Sequence, residues 1–309
     1  MAFTRLKKTD MKISRIGIGT NKVGGHNYFN ELDEEQGKDF VKEAIRLGVN
    51  FIDTADVYGL GRSEELIGEV LKSPDVKRED LIVATKGSRD WNADRMNNKP
   101  EYLRSALEAS LRRLDLEYVD LYYLHFPDGE TPLSESVGEL TRLKEEGKIR
   151  AIGVSNLDIG QLKEADANGD ISALQSGYNM FDRAVEKDVL PYCEEHDISF
   201  IPYFPLASGL LTGKYTAISD FPEGDRRRER FKDEESAEKF NKVKKLKELA
   251  EKKNIAMSHL ALAWLLAQKG VDAVIPGGRN AEQARNNVQA GKIQLSPDDL
   301  EEINAILRR

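Results

Sequence analysis

The sequence predicts an α/β protein that folds as one domain over residues 1–309, a (β/α)8 TIM barrel of eight parallel strands. Short β-branched segments alternate with helical segments along the whole chain, which is the pattern of right-handed βαβ units in a parallel sheet covered by helices. Eight such units at this length favour a closed barrel over an open doubly wound sheet. No G-x-G-x-x-G turn follows the first strand, and no break in composition marks a second domain.

The predicted strands are short runs rich in β-branched and aromatic residues. The first alternates isoleucine with glycine, so a ligand or packed side chains can come close to its backbone. The segment before it is expected to close the bottom of the barrel. The eight strands are predicted at residues 15–20, 50–53, 80–86, 118–125, 149–154, 173–178, 198–202 and 273–275.

The predicted helices carry apolar residues at helical spacing between capping signals. The first helix starts at an acidic run that begins at Asp33, where the helix dipole favours negative charge. It ends before Gly48, since glycine is a favoured C-cap residue. Two extra helices close the chain. The helices are predicted at residues 35–47, 63–71, 100–114, 133–146, 159–167, 185–196, 236–253, 258–268, 281–291 and 297–307.

Two polar segments interrupt this pattern. Residues 221–235 hold an arginine-rich run between acidic residues, and this mixed charge favours a solvated loop over a nucleic-acid patch. Residues 88–99 are polar apart from Trp91, Ala93 and Met96, which is compatible with a mobile loop.

Charge and cysteine content limit the partners and the compartment. The chain has 54 acidic and 46 basic side chains, a net charge of −8, which gives no reason to expect nucleic acid or a membrane as partner. The single cysteine, Cys193, can form no intrachain disulfide, and residues 1–20 hold no signal-peptide core. We therefore expect a soluble cytoplasmic protein. Cys193 and the histidines His26, His196 and His259 lack metal-ligand spacing, so no metal is expected.

Chemistry-bearing residues stand at the ends of three consecutive predicted strands. Asp53, Lys86 and His125 end the second, third and fourth strands, and Tyr58 lies in the loop after the second. Function sits at the carboxyl ends of barrel strands, so these side chains are expected on one rim. A neighbouring ammonium would lower the pKa of the phenol, and Asp53 can pair with Lys86. His125 can donate to a developing alkoxide or share the proton with Tyr58.

Each residue alone has a simpler explanation. An Asp–Lys pair at a strand end is often a structural ion pair. A tyrosine is more often a packed aromatic, and His125 could be a core histidine bonded to the backbone. Their common position on consecutive strand ends is what favours a site.

These residues and two longer segments resemble the aldo-keto reductase family over nearly the whole chain. The segments are residues 48–68, which include Phe51-Ile52-Asp53-Thr54-Ala55, and residues 147–156, from Gly147 to Asn156. The resemblance implies that Asp53, Tyr58, Lys86 and His125 are the catalytic tetrad. Residues 20–27 and 199–206 are most similar to the bacterial NADPH-dependent reductases encoded with inositol-catabolism genes.

The resemblance also implies a nicotinamide cofactor, usually NADPH, that lies extended across the barrel mouth. Thr20, Asn21 and Asp53 would lie near the nicotinamide ribose, and Tyr203 would stack under the ring. Ser155, Asn156 and Gln175 would bind the carboxamide. The pyrophosphate would be lined by Pro205, Leu206, Ser208, Gly209, Leu211 and Lys214, and the adenosine phosphate end by Pro276, Gly278, Arg279, Gln283, Asn286 and Asn287.

The last segment departs from the family pattern. Many members have Lys-Ser after the proline, whereas this chain has Gly277-Gly278, and Gln283 stands where an arginine often binds the 2′-phosphate. Arg279 could replace that arginine, because a guanidinium binds phosphate bidentately, or it could be a solvated loop residue. NADPH is therefore the expected cofactor, with NADH possible.

The predicted activity is reduction of an aldehyde or ketone to an alcohol, with Tyr58 as proton donor. The partner would be a small carbonyl compound, and the chain a monomer or weak oligomer. Tyr28, Phe29, Trp91 and Phe126 could line the substrate pocket or simply pack on the rim. A nicotinamide-sensing regulatory subunit, like the potassium-channel β subunits related to the family, is the alternative, and a non-redox barrel lyase or isomerase is a third.

Overall fold

The computed structural model describes residues 1–308 as alternating strands and helices. The strands are β1 (Phe3–Arg5), β2 (Lys12–Ser14), β3 (Ile18–Gly19), β4 (Phe51–Asp53), β5 (Ile82–Gly87), β6 (Arg89–Asp90), β7 (Arg95–Met96), β8 (Val119–Leu124), β9 (Ile149–Ser155), β10 (Ile171–Gln175) and β11 (Ser199–Phe200). The helices are α1 (Glu34–Arg46), α2 (Arg62–Leu71), α3 (Pro100–Leu114), α4 (Leu133–Glu145), α5 (Ile159–Ala165), α6 (Val189–Glu195), α7 (Arg226–Arg230), α8 (Glu234–Lys252), α9 (Met257–Ala267), α10 (Ala281–Ala290) and α11 (Pro297–Arg308). Short 3-10 helices lie at Arg78–Asp80, Ala184–Glu186, Ala207–Thr212 and Ile218–Asp220.

Seven strands form one curled parallel sheet in the order β11-β10-β9-β8-β5-β4-β3. The parallel register sets Gly19 beside Asp53, Asp53 beside Ala84 and Lys86 beside Tyr123. Because all seven strands run the same way, their carboxyl ends meet at one edge. This edge carries the residues that the sequence predicts to be functional.

Side chains alternate between the two faces of this sheet, as the period of a strand requires. On β5, Ile82 and Ala84 belong to an inner apolar cluster, whereas Val83 packs among the helices in the outer one. Phe51 and Ile52 of β4 divide in the same way. The inner face therefore presents Asp53 and Lys86, two residues further along each strand, on the same side.

The N-terminal segment forms a hairpin that supplies apolar residues to the inner cluster. β1 pairs with β2 in antiparallel register. Leu6, Met11 and Ile13 are buried there with Phe51, Ile82 and other inward residues of the parallel strands. The hairpin therefore lies at the amino ends of these strands.

The predicted eighth strand at residues 273–275 is not formed as a strand. Instead, single parallel bridges connect Ile16 with Val274, Gly19 with Gly277, and Phe200 with Val271. No continuous ladder forms here, because each bridge joins a single pair of residues. Pro276 also has no amide hydrogen to donate to a ladder. Segment 271–277 thus touches β11 at one end and the first core strand at the other.

Two segments predicted to be loops contain secondary structure. Residues 89–96 form the hairpin of β6 and β7, which is held at its start by a bond from the amide of Asn97 to the carbonyl of Ser88. The expectation of a solvated loop at residues 226–230 is wrong, because this run is the helix α7. Its Arg227 guanidinium lies 4.6 Å from the Tyr215 ring and pairs with Asp225, so the run packs on the fold.

The most apolar helix is α9, which packs against α8 and α10 and has most of its residues buried. It has 11 residues, about 16 Å at the usual helical rise, far short of a bilayer core. Within residues 1–308, no helix combines the length and apolarity needed to cross a membrane.

Candidate functional site

The centre of the site is a buried ion pair between β4 and β5. The ammonium of Lys86 donates to Asp53 Oδ1 at 2.5 Å and to the carbonyl of Thr54 at 2.8 Å. Lys86 is fully buried and Asp53 is 1% exposed. The second carboxylate oxygen, Oδ2, accepts a bond of 2.9 Å from the side-chain amide of Gln175. The predicted pairing of Asp53 with Lys86 is therefore present.

Burial acts against the charge of both members of this pair. It raises the pKa of Asp53 and lowers the pKa of Lys86, while each partner's charge opposes the shift in the other. Breaking such a pair leaves an uncompensated buried charge, which costs about 3–5 kcal/mol. The two charges therefore persist only together.

Tyr58 is delivered to this pair by a short turn that is fastened on both sides. The amide of Asp56 donates to the carbonyl of Lys86, and Asn27 bonds the backbone of Val57 and Gly59 at 2.9 and 2.8 Å. The Lys86 ammonium then lies 5.5 Å from the centroid of the Tyr58 ring. Asn27 was not among the predicted site residues, although it lies in a segment that resembles the family.

The electrostatic expectation for Tyr58 is wrong in this structure. Burial, followed by the negative charge of Asp53, holds the pKa of Tyr58 well above its usual value. The ammonium of Lys86 is already balanced by Asp53, so it does not outweigh the loss of solvation. Tyr58 is consequently protonated at neutral pH, as a proton donor must be.

The His125 ring also lies beside Tyr58, with ring centroids 6.5 Å apart. It stacks on Phe126, with ring centroids 4.5 Å apart. It is 7% exposed, and burial together with the charge of Lys86 keeps its pKa well below the usual range. Its Nδ1 has no hydrogen-bond partner in the part of the chain that the structure describes. His125 is therefore a neutral imidazole that can donate one N–H without carrying a spare proton.

The residues predicted around the nicotinamide are connected to this centre. Tyr203 donates to Asn156 Oδ1 at 2.7 Å, and Asn156 Nδ2 donates to the carbonyl of His125 at 2.9 Å. Asn156 also reaches Ser155 Oγ at 3.0 Å. Thr20 is buried and bonds the carbonyl of Asp53. These contacts fix the Tyr203 ring and the side-chain amide of Asn156 relative to the four tetrad residues.

The segment predicted to line the pyrophosphate is a strained loop at the same edge. Ser208 and Gly209 both have left-handed backbone angles, with φ of 56° and 98°. A Cβ on Gly209 would approach Arg227 Nη1 to 3.2 Å, so the glycine allows the arginine to lie over the loop. Leu211 is fully buried in the outer core, so it offers no surface to a ligand in this structure. Pro205 is buried, Leu206 and Ser208 are half-buried, and Lys214 is exposed.

The segment predicted for the adenosine phosphate is only partly open. A Cβ on Gly278 would lie 2.3 Å from the Phe40 ring, so this glycine serves packing against α1. Asn287 is buried and bonds the carbonyl of Gly277, and Asn286 bonds Ser258 and His259 of α9. Pro276 is buried as well. The exposed members of this set are Arg279, Gln283 and Asn286, and the amide of Arg279 donates to Gln283 Oε1 at 2.8 Å.

A cationic cluster beside these segments was missed by sequence reasoning. It consists of Lys22, Arg227 and Arg279, which come from the loop after β3, from α7 and from the turn after Gly277. Burial and the charges of Arg279 and then Arg227 lower the pKa of Lys22 to about 8. Like charges that converge in this way are typical of an anion site. The only signal in the sequence is that Lys22 follows Asn21, a predicted cofactor residue.

The predicted substrate residues lie in three places. Tyr28 meets Tyr58 edge-on at 6.4 Å, and Phe126 stacks on His125, so both border the tetrad. Phe29 lies under Lys22, with the ammonium 5.6 Å from its ring, and so belongs to the cationic cluster. Trp91 is 40% exposed at the tip of the β6–β7 hairpin.

No metal centre is present among the residues that the structure describes: nowhere in 1–308 do three or more His, Cys, Asp or Glu side chains converge as ligands. The site instead combines a protonated phenol, a balanced ammonium and a neutral imidazole on one rim. These groups can protonate and stabilise an oxygen on which negative charge develops. The cationic cluster nearby can bind an anion.

Comparison with known proteins gives a consistent result. The model of the "Aldo/keto reductase family" matches residues 15–308. The "NADH-specific methylglyoxal reductase" of Escherichia coli K12 is 36% identical over 312 residues, covering 95% of this chain and 94% of its own. The "Aldo-keto reductase yakc [NADP(+)]" of Schizosaccharomyces pombe is 36% identical over 295 residues, covering 93% and 86%. The solved structure of the glycerol dehydrogenase AKR11B4 from Gluconobacter oxydans has a TM-score of 0.89 at 32% identity, covering 99% and 95%.

Proposed function

The chain belongs to the aldo/keto reductase family, and we propose that it reduces a small aldehyde or ketone to an alcohol with Tyr58 as the general acid. The observation that carries this proposal is the buried Asp53–Lys86 pair beside a protonated Tyr58 and a neutral His125. We also infer that segment 271–277 completes a closed eight-unit barrel, since single bridges connect it with the strands on both sides.

A nicotinamide dinucleotide, when bound, would supply the hydride that attacks the carbonyl carbon. The residues present fit such a group. Tyr203 offers a ring that Asn156 holds in place, and the cationic cluster faces a strained loop where phosphates would lie. The carboxamide end would meet Asn156, Ser155 and Gln175.

Tyr58 is the better proton donor of the two candidates at the rim. Its pKa is raised, so the proton is present at neutral pH, whereas the pKa of His125 is lowered and its ring carries no extra proton. His125 would instead donate its N–H to the carbonyl oxygen and orient it. This donor also stabilises the negative charge that develops on that oxygen.

Lys86 would act on the phenolate that forms when Tyr58 gives up its proton. An ammonium has three N–H donors, and two of them bind Asp53 and Thr54. The third is free to donate to the phenolic oxygen. Asp53 keeps the lysine charged and fixed, so the site needs little reorganisation during the reaction.

We propose NADPH as the preferred cofactor, with NADH accepted less well. Arg279 is exposed beside Lys22 and can take a 2′-phosphate. The relatives include one enzyme named NADH-specific and one named for NADP(+), so the preference depends on residues of this chain. Replacing Arg279 by alanine should weaken NADPH binding far more than NADH binding, and equal losses would remove this assignment.

The test of the function is the variant Tyr58→Phe. We expect its kcat for aldehyde reduction to fall by about a thousandfold or more, because general acid catalysis is lost. Its Kd for NADPH should stay within about threefold of the wild type, since the phenol does not carry the cofactor. Turnover at the wild-type rate in this variant would contradict the role of Tyr58. The substrate, a monomeric state, a cytoplasmic location and the narrower likeness to inositol-associated reductases stay predictions.

A further inference from the structure

Lys22 is the member of the cationic cluster that can lose its charge near neutral pH. The guanidinium groups of Arg227 and Arg279 stay charged at any relevant pH. Burial and these two like charges lower the pKa of Lys22 to about 8. Its ammonium also lies over the face of Phe29, in a partly buried position. The charge on Lys22 is thus poorly stabilised while the cluster faces no anion.

The charged groups around Lys22 come from two other segments of the fold. Arg279 follows the turn at Gly277, and Arg227 belongs to α7, where Asp225 holds it at 2.6 Å. Among the side chains that the structure describes, neither Lys22 nor Arg279 forms a salt bridge with a carboxylate. The charge of Arg279 does act on Asp225, whose pKa is lowered mainly by its bonds with Arg227, so Asp225 is shared between the two arginines.

Arg227 connects this cluster with the loop at Ser208 and Gly209. Its Nη1 lies 3.4 Å from the carbonyl of Ser208, and Gly209 has no Cβ to push it away. Arg230 of the same helix donates to Ser208 Oγ at 2.9 Å. An anion placed along this loop would therefore lie beside the cations of α7, and Arg227 is near enough to Lys22 for their charges to interact.

Resting on the proposed function, we propose that binding of the nicotinamide dinucleotide is coupled to proton uptake by Lys22. A bound phosphate would replace repulsion by attraction at the ammonium, so the complex favours the protonated lysine. The direction follows from linkage. The dinucleotide binds most tightly at a pH where Lys22 of the ligand-free protein is protonated. Its affinity falls as the pH rises through the pKa of Lys22 in that protein.

The expected effect is large enough to measure. With the pKa of free Lys22 at about 8, the Kd should rise about tenfold between about pH 7 and pH 9. The cofactor does not cause this change. The pyrophosphate is fully ionised in this range, and a 2′-phosphate, with a second pKa of about 6, is already ionised at its lower end.

The experiment is calorimetric titration of the whole protein with NADPH and with NADH across this pH range. Each titration is repeated in two buffers that differ in ionisation enthalpy, so that the number of protons taken up is measured directly. We expect the wild type to bind more weakly as the pH rises and to take up a growing fraction of one proton. Lys22→Arg should bind with no such pH dependence, because its charge is permanent.

Two further variants separate charge from packing. Lys22→Met keeps the apolar stem over Phe29 but removes the charge, so it should bind at pH 7 at least as weakly as the wild type binds at pH 9. Lys214→Met removes an exposed lysine from the neighbouring loop. It should keep the wild-type pH dependence, whatever its affinity.

The outcomes distinguish this proposal from the function on which it rests. Failure to bind either dinucleotide at any pH would contradict the proposed reductase activity itself. Binding with one Kd across the range and no proton uptake would overturn the role of Lys22 alone. A Lys22→Arg variant that kept the wild-type pH dependence would also overturn it.

Discussion

Two buried ion pairs lie on opposite faces of strand β5, and they differ in what they leave free. Lys86 points into the sheet's inner face and pairs with Asp53. Its neighbour Thr85 points outward and donates to Glu64, which pairs with Arg113 of α3 at 2.6 Å. Glu64 is as deeply buried as Asp53. The depth at which the carboxylate is buried therefore does not separate the two pairs.

The outer pair is held by structural partners, and the remaining N–H groups of Arg113, which is 24% exposed, can reach water. Glu64 accepts from both Thr85 and Arg113, and Arg113 also reaches Ser110. The inner pair keeps one lysine N–H unassigned and lies beside a protonated phenol. We conclude that the outer pair fastens α2 and α3 to the sheet, whereas the inner pair is available for chemistry. Variants of each pair test this contrast.

The largest effect is expected for Lys86→Met. The change removes the group that stabilises the Tyr58 phenolate, so kcat should fall by about a thousandfold. It also leaves Asp53 buried without a cation, which should lower the free energy of unfolding by about 3–5 kcal/mol. Steady-state kinetics and urea unfolding measure the two losses. A kcat within about threefold of the wild type would show that the inner pair is structural.

A smaller and different effect is expected for Glu64→Gln. Arg113 would lose its partner but is 24% exposed and can reach water, so the free energy of unfolding should fall by only about 2 kcal/mol. Aldehyde reduction at a temperature where the variant is folded should continue at nearly the wild-type kcat. A loss of kcat as large as that of Lys86→Met would erase the distinction between the faces.

A change in how stability depends on pH is expected for Asp56→Asn, in the turn between the two pairs. Asp56 is 2% exposed, and its Oδ1 has no hydrogen-bond partner among the residues described. Burial, and then the charge of Glu64, raise its pKa well above the usual value, so the folded protein holds a proton that the unfolded chain releases above about pH 4. The sign follows: the wild type loses stability as the pH rises, by about 1.4 kcal/mol per pH unit until the folded pKa is reached.

Asparagine resembles the protonated acid and does not titrate, so it should remove this slope. Urea unfolding from about pH 5 to pH 8 should show Asp56→Asn gaining on the wild type at each step. Asp39→Asn, at an exposed position of α1, is the matched control and should show no such gain. A difference between Asp56→Asn and wild type that does not change with pH would mean that Asp56 is ionised in the fold.

The sequence predicted most helices and the strand ends because those depend on local signals. Helix α3 was predicted with both of its ends, since Pro100 starts it and its apolar spacing is regular. The positions of Asp53, Lys86 and His125 followed from counting strands, because parallel strands bring their carboxyl ends to one rim. The family of the chain, predicted from its motifs, is confirmed.

What could not be predicted depends on contacts between distant segments. The cationic cluster joins Lys22 to Arg227, about 200 positions later, and to Arg279, about 50 positions after that. No local sequence pattern predicts this cluster. In the sequence, Asp56 looks like an ordinary residue of the turn after β4. Only the fold shows that its carboxyl group is buried and, among the residues described, forms no salt bridge. The raised pKa of Tyr58 also depends on burial that the sequence does not reveal.

The most direct test of the contrast is a single-turnover measurement on two charge-neutral double variants. Asp53→Asn with Lys86→Met removes the inner pair, and Glu64→Gln with Arg113→Met removes the outer one, so neither leaves a buried charge alone. With cofactor and aldehyde saturating, the inner double variant should oxidise the cofactor about a thousandfold more slowly than the wild type, and the outer one within about threefold. Equal rates in the two double variants would contradict a catalytic role for the inner pair and a structural role for the outer one.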